Sequence, residues 1–218
     1  PDTLIREAAI YFLGRCKARQ GETDEALDTY RKIANKPFDG EHKYRPYALY
    51  AVATAAQSRG NFDTAVQAFR RLKEEEHVPD ELREEATYRL GENHFLHERY
   101  EKAIQLYEAL LVEYPDGHFA AEARKRRAWA FFSLGNYEKA AELCRDWKQR
   151  YKDIYDYQIE YILGASLANQ GLFKQALPYL ERIGKAGKPP REYREMARYY
   201  EILGFLQMEK YGDATDRA

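Results

Sequence analysis

The sequence predicts an all-α fold, a solenoid of about six helix-turn-helix repeats that spans residues 1–218 as a single domain. Three observations predict it. A short turn phrase recurs along the chain, small and large residues recur at fixed distances from that phrase, and prolines fall between its copies. The composition agrees, because 33% charged and 44% hydrophobic residues with only 8 Pro and 13 Gly are typical of a folded, helix-rich protein.

The turn phrase begins with a small or polar residue, continues with an aromatic residue and closes on an alanine, as in Gly135-Asn136-Tyr137-Glu138-Lys139-Ala140. These closing alanines, the anchors, recur 39, 38, 37, 36 and 38 residues apart. Such regular self-similarity indicates a structural repeat with a period of about 37 residues. The anchors are Ala26, Ala65, Ala103, Ala140, Ala176 and Ala214.

Small and large residues at fixed distances from the anchor predict that each repeat folds as two antiparallel helices. Twelve residues before the anchor stands Gly or Ala, and four residues after it stands an aromatic, leucine or cysteine side chain. Closely packed helices need such pairs, because a small residue leaves room for the large one opposite. The pairs are Gly14 with Tyr30, Ala53 with Phe69, Gly91 with Tyr107, Ala128 with Cys144, and Gly164 with Leu180.

Prolines mark the boundaries of the repeats. Pro37, Pro79, Pro115 and the pair Pro189-Pro190 fall between repeats, whereas glycines fall in the turn within a repeat. Pro178 is the exception, and we expect it near the start of a second helix, where a missing N–H costs little. The predicted repeats cover residues 4–39, 43–79, 81–116, 118–153, 155–190 and 192–218.

The pattern resembles the tetratricopeptide repeat family on the residues Leu90-Gly91, Gly135-Asn136-Tyr137, Ala140 and Tyr114-Pro115-Asp116. The resemblance implies a right-handed α-α superhelix whose first helices line a concave, partner-binding groove. Two features depart from the family. The period exceeds its usual length of about 34 residues, and the large aromatic residue expected sixteen residues before the anchor is missing.

Two longer sequence segments resemble a particular subgroup of the family. Leu111-Val112-Glu113-Tyr114-Pro115-Asp116, followed by Ala120-Ala121-Glu122-Ala123, is similar to bacterial cell-envelope members of the outer-membrane assembly lipoprotein and Tol-associated coordinator types. This implies a periplasmic or cell-envelope protein that acts as a binding scaffold or, alternatively, as a structural or self-assembling module. Because the sixth repeat stops four residues after Ala214, we expect a longer parent chain.

A tyrosine-rich column fifteen residues before the anchors is the first candidate for a partner-binding surface. Tyrosine offers broad, stiff contact area with a polar tip. The same side chains could instead pack against the neighbouring repeat, and that alternative stays open. In the middle repeats we expect Trp129 and Phe132 to form a pocket with Phe95 and Tyr88. The predicted groove residues are Tyr11, Tyr50, Tyr88, Glu92, Phe95, Lys125, Trp129, Phe132, Tyr161 and Tyr199.

The charge balance and the motifs favour a protein or peptide partner. Lys plus Arg number 35 against 36 Asp plus Glu, so no net field attracts nucleic acid or anionic lipid. No apolar run reaches the ~20 residues of a bilayer span, and no phosphate loop, Cys-x-x-Cys or His-Glu-x-x-His motif occurs. We therefore predict no enzymatic activity, no cofactor, no nucleic acid partner and no membrane span, while self-association through the repeat ends remains open.

The histidines, the cysteines and one basic run are the remaining candidates for a metal site, a disulfide or a charged binding surface. His94 and His97 lie three residues apart but lack a third spaced ligand, so no metal site is predicted. Cys16 and Cys144 fall in different repeats, too far apart for a disulfide, and both are predicted to be buried packing residues. The run Arg124-Lys125-Arg126-Arg127 is predicted to be solvated and paired with nearby acids.

Overall fold

The computed structural model describes residues 2–35, 43–75, 77–185 and 189–208, and every regular element among them is an α-helix. Five first helices are each joined to a second helix by a turn of three residues, and an eleventh helix follows. The predicted all-α, helix-turn-helix fold is thereby confirmed. The helices are α1 (Asp2–Arg19), α2 (Thr23–Ala34), α3 (Arg45–Ser58), α4 (Phe62–Glu74), α5 (Asp80–Leu96), α6 (Tyr100–Glu113), α7 (Ala120–Ser133), α8 (Tyr137–Arg150), α9 (Tyr157–Asn169), α10 (Phe173–Lys185) and α11 (Arg191–Gln207).

The helices form two compact units, residues 1–119 and 120–218. In unit 1, the pairs α1–α2, α3–α4 and α5–α6 are joined by contacts of α2 with α3 and of α4 with α5. In unit 2, α7 packs on α8, α8 on α9, α9 on α10 and α10 on α11. A single solenoid over residues 1–218 stays a prediction. The expected second helix of the sixth repeat, with Ala214, and the boundary residue Pro37 lie outside the described residues.

First and second helices differ in how they are buried. In α2, Leu27, Tyr30 and Ile33 form one buried stripe, whereas Asp28 between them is exposed. This is the pattern of an amphipathic helix with one covered face. In contrast, α9 buries ten consecutive residues, 159–168, because α8 and α10 cover it on two sides.

The predicted small-and-large pairs set the close approach of paired helices. A Cβ atom added to Gly91 would lie 2.6 Å from Cε1 of Tyr107, whose side chain is fully buried. No side chain larger than hydrogen fits at that distance. The same contact recurs at 2.7 Å between Gly14 and Tyr30 and at 2.8 Å between Gly164 and Leu180.

The turns between paired helices need a backbone conformation that favours glycine. Gly21, Gly60, Gly135 and Gly171 have φ between 70° and 84°, a region that glycine enters without steric cost. Glu98 adopts the same conformation at φ 58° in the turn between α5 and α6. The predicted position of these glycines, in the turn within a repeat, is confirmed.

Two local predictions are wrong. Pro178 is the sixth residue of α10, not in its first turn, so it removes an internal backbone hydrogen bond. Cys16 is exposed, although Cys144 is buried as predicted. Cys16 lies on α1, where Leu13 is also 51% exposed, because no helix among the described residues precedes α1 and covers that face.

Two arginines bind the carbonyl ends of second helices, and sequence reasoning missed them. Arg45 and Arg83 each stand twenty residues before an anchor. Arg45 forms an ion pair of 3.0 Å with Glu75 and donates to the carbonyl of Ala34 at the end of α2. Arg83 donates to the carbonyls of Lys73 and Glu75 at the end of α4. The last carbonyls of a helix lack partners within the helix, and these guanidinium groups supply them.

Candidate functional site

The predicted tyrosine column is mostly covered by neighbouring helices. Tyr88 is 4% exposed and stacks on Phe119 with ring centroids 4.8 Å apart. Tyr161 is 5% exposed and lies against Tyr193 at 5.6 Å. Tyr199 is 62% exposed, because no helix follows α11 among the described residues. Of the two alternatives left open, packing between repeats describes Tyr88 and Tyr161, and partner binding by the column stays a prediction.

Two further members of the column lie in unit 1 and are half-buried. Tyr11 stacks on Tyr44 with ring centroids 5.4 Å apart and also meets Tyr47. The hydroxyl of Tyr50 donates to Glu85 on α5. Burial first, and then this hydrogen bond, raise the pKa of Tyr50 to about 12. Both tyrosines therefore link one first helix to the next.

The other predicted site residues of unit 1 also have partners within the unit. Glu92 lies 3.3 Å from Arg89, and Arg89 lies 3.4 Å from Glu85. Phe95 meets the ring of Tyr100 edge-on at 5.4 Å. Phe95 and Tyr88 belong to unit 1, whereas Trp129 and Phe132 belong to unit 2. A pocket made of all four residues stays a prediction.

Lys125 is held in an ion-pair network rather than at an open rim. Its side chain is 12% exposed, and its Nζ lies 2.8 Å from Asp156 and 2.9 Å from Glu122. Arg126 also reaches Glu122, at 3.5 Å. The expected pairing of the basic run with acids is confirmed for these two residues, but all four residues of the run are half-buried, so the expected solvated run is corrected.

The described residues bring six aromatic side chains together in unit 2, and we call this surface the aromatic face. Three successive first helices, α7, α9 and α11, contribute two residues each. Five of the six side chains are half-buried and so keep part of their surface in solvent. The aromatic face consists of Trp129, Phe132, Tyr157, Tyr161, Tyr193 and Tyr200.

Tyr193 is the centre of the aromatic face. Trp129, Tyr157 and Tyr161 meet its ring at centroid distances of 5.8, 4.9 and 5.6 Å. The interplanar angles are 88°, 71° and 87°. Such edge-to-face contacts are favoured because the positive edge of one ring meets the negative face of another. The rings therefore hold one another at steep angles.

Two amide side chains orient hydroxyl groups on the aromatic face. Gln158 donates to the hydroxyl oxygen of Tyr193 at 3.1 Å, and Asn169 donates to that of Tyr200 at 2.9 Å. Burial raises the pKa of Tyr193 and of Tyr161. The hydroxyl groups therefore keep their protons at neutral pH. Sequence reasoning found Trp129, Phe132 and Tyr161 of this surface but missed Tyr157, Tyr193 and Tyr200.

Within the described ranges, no group of three or more His, Cys, Asp or Glu side chains could hold a metal ion. No helix in the described part of the chain is long and apolar enough to cross a membrane. His94 is buried and meets the ring of Phe62 edge-on at 5.4 Å.

The burial of His94 predicts that the stability of unit 1 depends on pH. Its pKa is lowered from 6.5, chiefly by burial and then by the charges of Lys102, Arg99, Arg70 and His97. As the pH falls below 6.5, the unfolded chain therefore takes up a proton that the folded unit resists, and stability is lost. Between pH 7.5 and 5.5 we therefore expect unit 1 to lose stability through this group. Urea unfolding at both pH values measures the loss, and His94→Gln should reduce the pH dependence.

Comparisons with known proteins bear on the fold. Two tetratricopeptide repeat models match the chain, one over residues 50–118 and 119–153 and the other over residues 8–37. Together these ranges cover more than half of the chain. A search with the sequence found no match among curated proteins.

Solved structures share the fold at low sequence identity. MamA from Desulfovibrio magneticus RS-1 has a TM-score of 0.65 at 20% identity over 82% of this chain and 94% of that one. A putative kinesin light chain of Podosopora anserina, with nearly identical TPR-like repeats, has a TM-score of 0.63 at 17% identity over 83% and 93%. A tetratricopeptide repeat protein from Parabacteroides merdae has a TM-score of 0.60 at 18% identity over 97% and 75%. These likenesses concern the fold, and with the matching models they show that the chain belongs to the tetratricopeptide repeat family.

Proposed function

We propose that this chain is a non-enzymatic protein-interaction scaffold and that the aromatic face of unit 2 binds a peptide segment of its partner. The observation that carries the proposal is the convergence of six aromatic side chains from three successive first helices. Repeat proteins use the surface made by successive repeats for binding. A segment that lies across α7, α9 and α11 would meet the five half-buried rings, whereas Tyr161 is buried.

Three features support a binding role for this surface. Aromatic side chains bury large areas at low entropic cost and dominate binding energies at protein interfaces. The rings are held by mutual edge-to-face contacts, so little ordering remains to be done on binding. The side chain of Trp129 is half-buried, so part of it is open to a ligand. In contrast, the second tryptophan, Trp147, is buried and donates to the carbonyl of Ala121.

The replacement of Trp129 and Tyr193 by alanine is expected to weaken peptide binding about tenfold or more. Both side chains lie at the centre of the aromatic face and contact each other at 5.8 Å. Random 12-residue peptides displayed on phage would be selected on the original chain, and the affinity of enriched peptides measured for each variant. A circular dichroism melt would verify that unit 2 remains folded.

Tyr155→Ala is the matched control. Tyr155 is a 45% exposed tyrosine of unit 2 whose hydroxyl donates to the carbonyl of Arg182, away from the aromatic face. It should leave the affinity unchanged. Equal affinity of the enriched peptides for the original chain and for the Trp129→Ala, Tyr193→Ala variant would exclude the aromatic face as the binding surface.

A further inference from the structure

We propose that the ligand of the aromatic face is a proline-rich segment without acidic residues, in the polyproline II conformation. The inference rests on the proposed function and goes beyond it, because it specifies the chemistry of the partner. The hydrogen-bond donors and the charge of the aromatic face carry the argument.

The aromatic face offers donors in fixed positions. The indole N–H of Trp129 can only donate, and it meets no acceptor among the described residues. The hydroxyl oxygens of Tyr193 and Tyr200 already accept from Gln158 and Asn169, so each hydroxyl is set to donate outward. A ligand covering these groups must supply acceptors, since an unsatisfied buried donor costs binding free energy.

The charge of the surface argues against an acidic ligand. All six side chains of the aromatic face are neutral, and burial keeps the hydroxyl groups of Tyr161 and Tyr193 protonated by raising the pKa of each. Lys125, near its edge, is already paired with Asp156 and Glu122. A carboxylate over the rings would lose water without gaining a counter-ion, which is costly, whereas the ring faces attract Lys or Arg. The aromatic face therefore favours a segment without Asp or Glu.

Backbone chemistry distinguishes the remaining ligands. A helical peptide uses its carbonyls internally, so it would leave the donors of Trp129, Tyr193 and Tyr200 without acceptors. An ordinary extended peptide offers carbonyls but also N–H groups, which would be buried against aromatic rings. A proline-rich segment forms no internal hydrogen bonds, lacks the proline N–H and exposes every carbonyl. Aromatic side chains are a common surface for binding such segments.

The test is a binding titration with blocked decaproline, acetylated and amidated at its ends. The controls are a blocked, uncharged alanine-rich helical peptide and a blocked glycine-serine peptide of the same length. Because the chain has 2 tryptophans, Trp147→Phe leaves Trp129 as the sole tryptophan whose fluorescence reports binding at the aromatic face. Isothermal titration calorimetry on the unsubstituted chain gives the same affinities if Trp147→Phe does not fold.

We expect decaproline to bind about tenfold more tightly than either control peptide. The variant with both Tyr193→Phe and Tyr200→Phe keeps the rings but loses two donors, so its affinity for decaproline should fall about tenfold. Tyr155→Ala should change nothing. These results together would support the inference.

Other outcomes separate this inference from the proposed function. Tighter binding of the helical peptide, lost in the Trp129→Ala, Tyr193→Ala variant, would overturn the proline-rich ligand and leave the proposed function standing. Decaproline binding that is unchanged by Tyr193→Phe and Tyr200→Phe would overturn the donor argument. Decaproline binding that is unchanged by Trp129→Ala with Tyr193→Ala would overturn both proposals. Absence of binding by decaproline would overturn the inference, and the phage selection would then decide the proposed function.

Discussion

Replacement of Glu75 by alanine is expected to destabilise unit 1 by about 3–5 kcal/mol. The side chains of Arg45 and Glu75 are 7% and 9% exposed and lie 3.0 Å apart. The substitution removes one carboxylate partner of a buried guanidinium group, and removing one partner of a buried pair is far more costly than removing the pair. The free energy of unfolding in urea measures the effect.

The exposed pair of Arg59 and Asp24 is a matched control. Its side chains are 40% and 88% exposed at a separation of 2.6 Å. Asp24→Ala should cost about 1 kcal/mol or less, because exposed pairs contribute little. Replacing both Arg45 and Glu75 by methionine should restore much of the stability lost in Glu75→Ala. Equal losses for Glu75→Ala and Asp24→Ala would contradict the role of burial.

The second large effect is expected for Gly91→Ala, which should destabilise unit 1 by about 2 kcal/mol. The new methyl carbon would lie 2.6 Å from Cε1 and 3.0 Å from Cδ1 of Tyr107. Overpacking of a core costs about 1–3 kcal/mol, and the better helix propensity of alanine offsets up to about 1 kcal/mol of it. A thermal melt or urea unfolding would show the loss.

A second substitution, taken from the fourth repeat, tests whether contact with Tyr107 causes the loss of stability. At the equivalent positions of the fourth repeat, Ala128 stands with Cys144, and both are fully buried. In a Tyr107→Cys background the ring is gone, so Gly91→Ala should cost much less than it does in the original chain. An equal cost in both backgrounds would mean that Tyr107 is not what the methyl group meets.

Much of the fold could be predicted because repeat symmetry multiplies weak signals. The pairing of Gly91 with Tyr107 is one small residue and one large residue, but its recurrence at Gly14 and Gly164 identified the packed helix pairs of the first five repeats. The cell-envelope location implied by the resemblance stays a prediction, which fractionation of cells that express the parent protein would test. Pro178 was misplaced because packing against neighbouring helices can outweigh the cost of a proline inside a helix, and the sequence does not show that packing.

The candidate site could be predicted only in part, for a physical reason that Tyr161 and Tyr199 illustrate. Both stand fifteen residues before an anchor, yet one is 5% and the other 62% exposed. Tyr161 is covered by Tyr193 and Tyr200 from the following first helix, whereas Tyr199 has no such cover among the described residues. Whether a tyrosine at this position is exposed thus depends on the neighbouring helix and not on its own place in the repeat.

The sequence by itself determined the helix pairs, their turns and their contact residues, because these depend on interactions within one repeat. Only the tertiary structure decided which aromatic rings are covered, that Tyr193 stands at the centre of the aromatic face, and that Arg45 and Arg83 bind the carbonyl ends of second helices. These features join different repeats. Their geometry depends on how one helix pair rotates and shifts against the next, and a pattern repeated within each pair carries no information about that displacement.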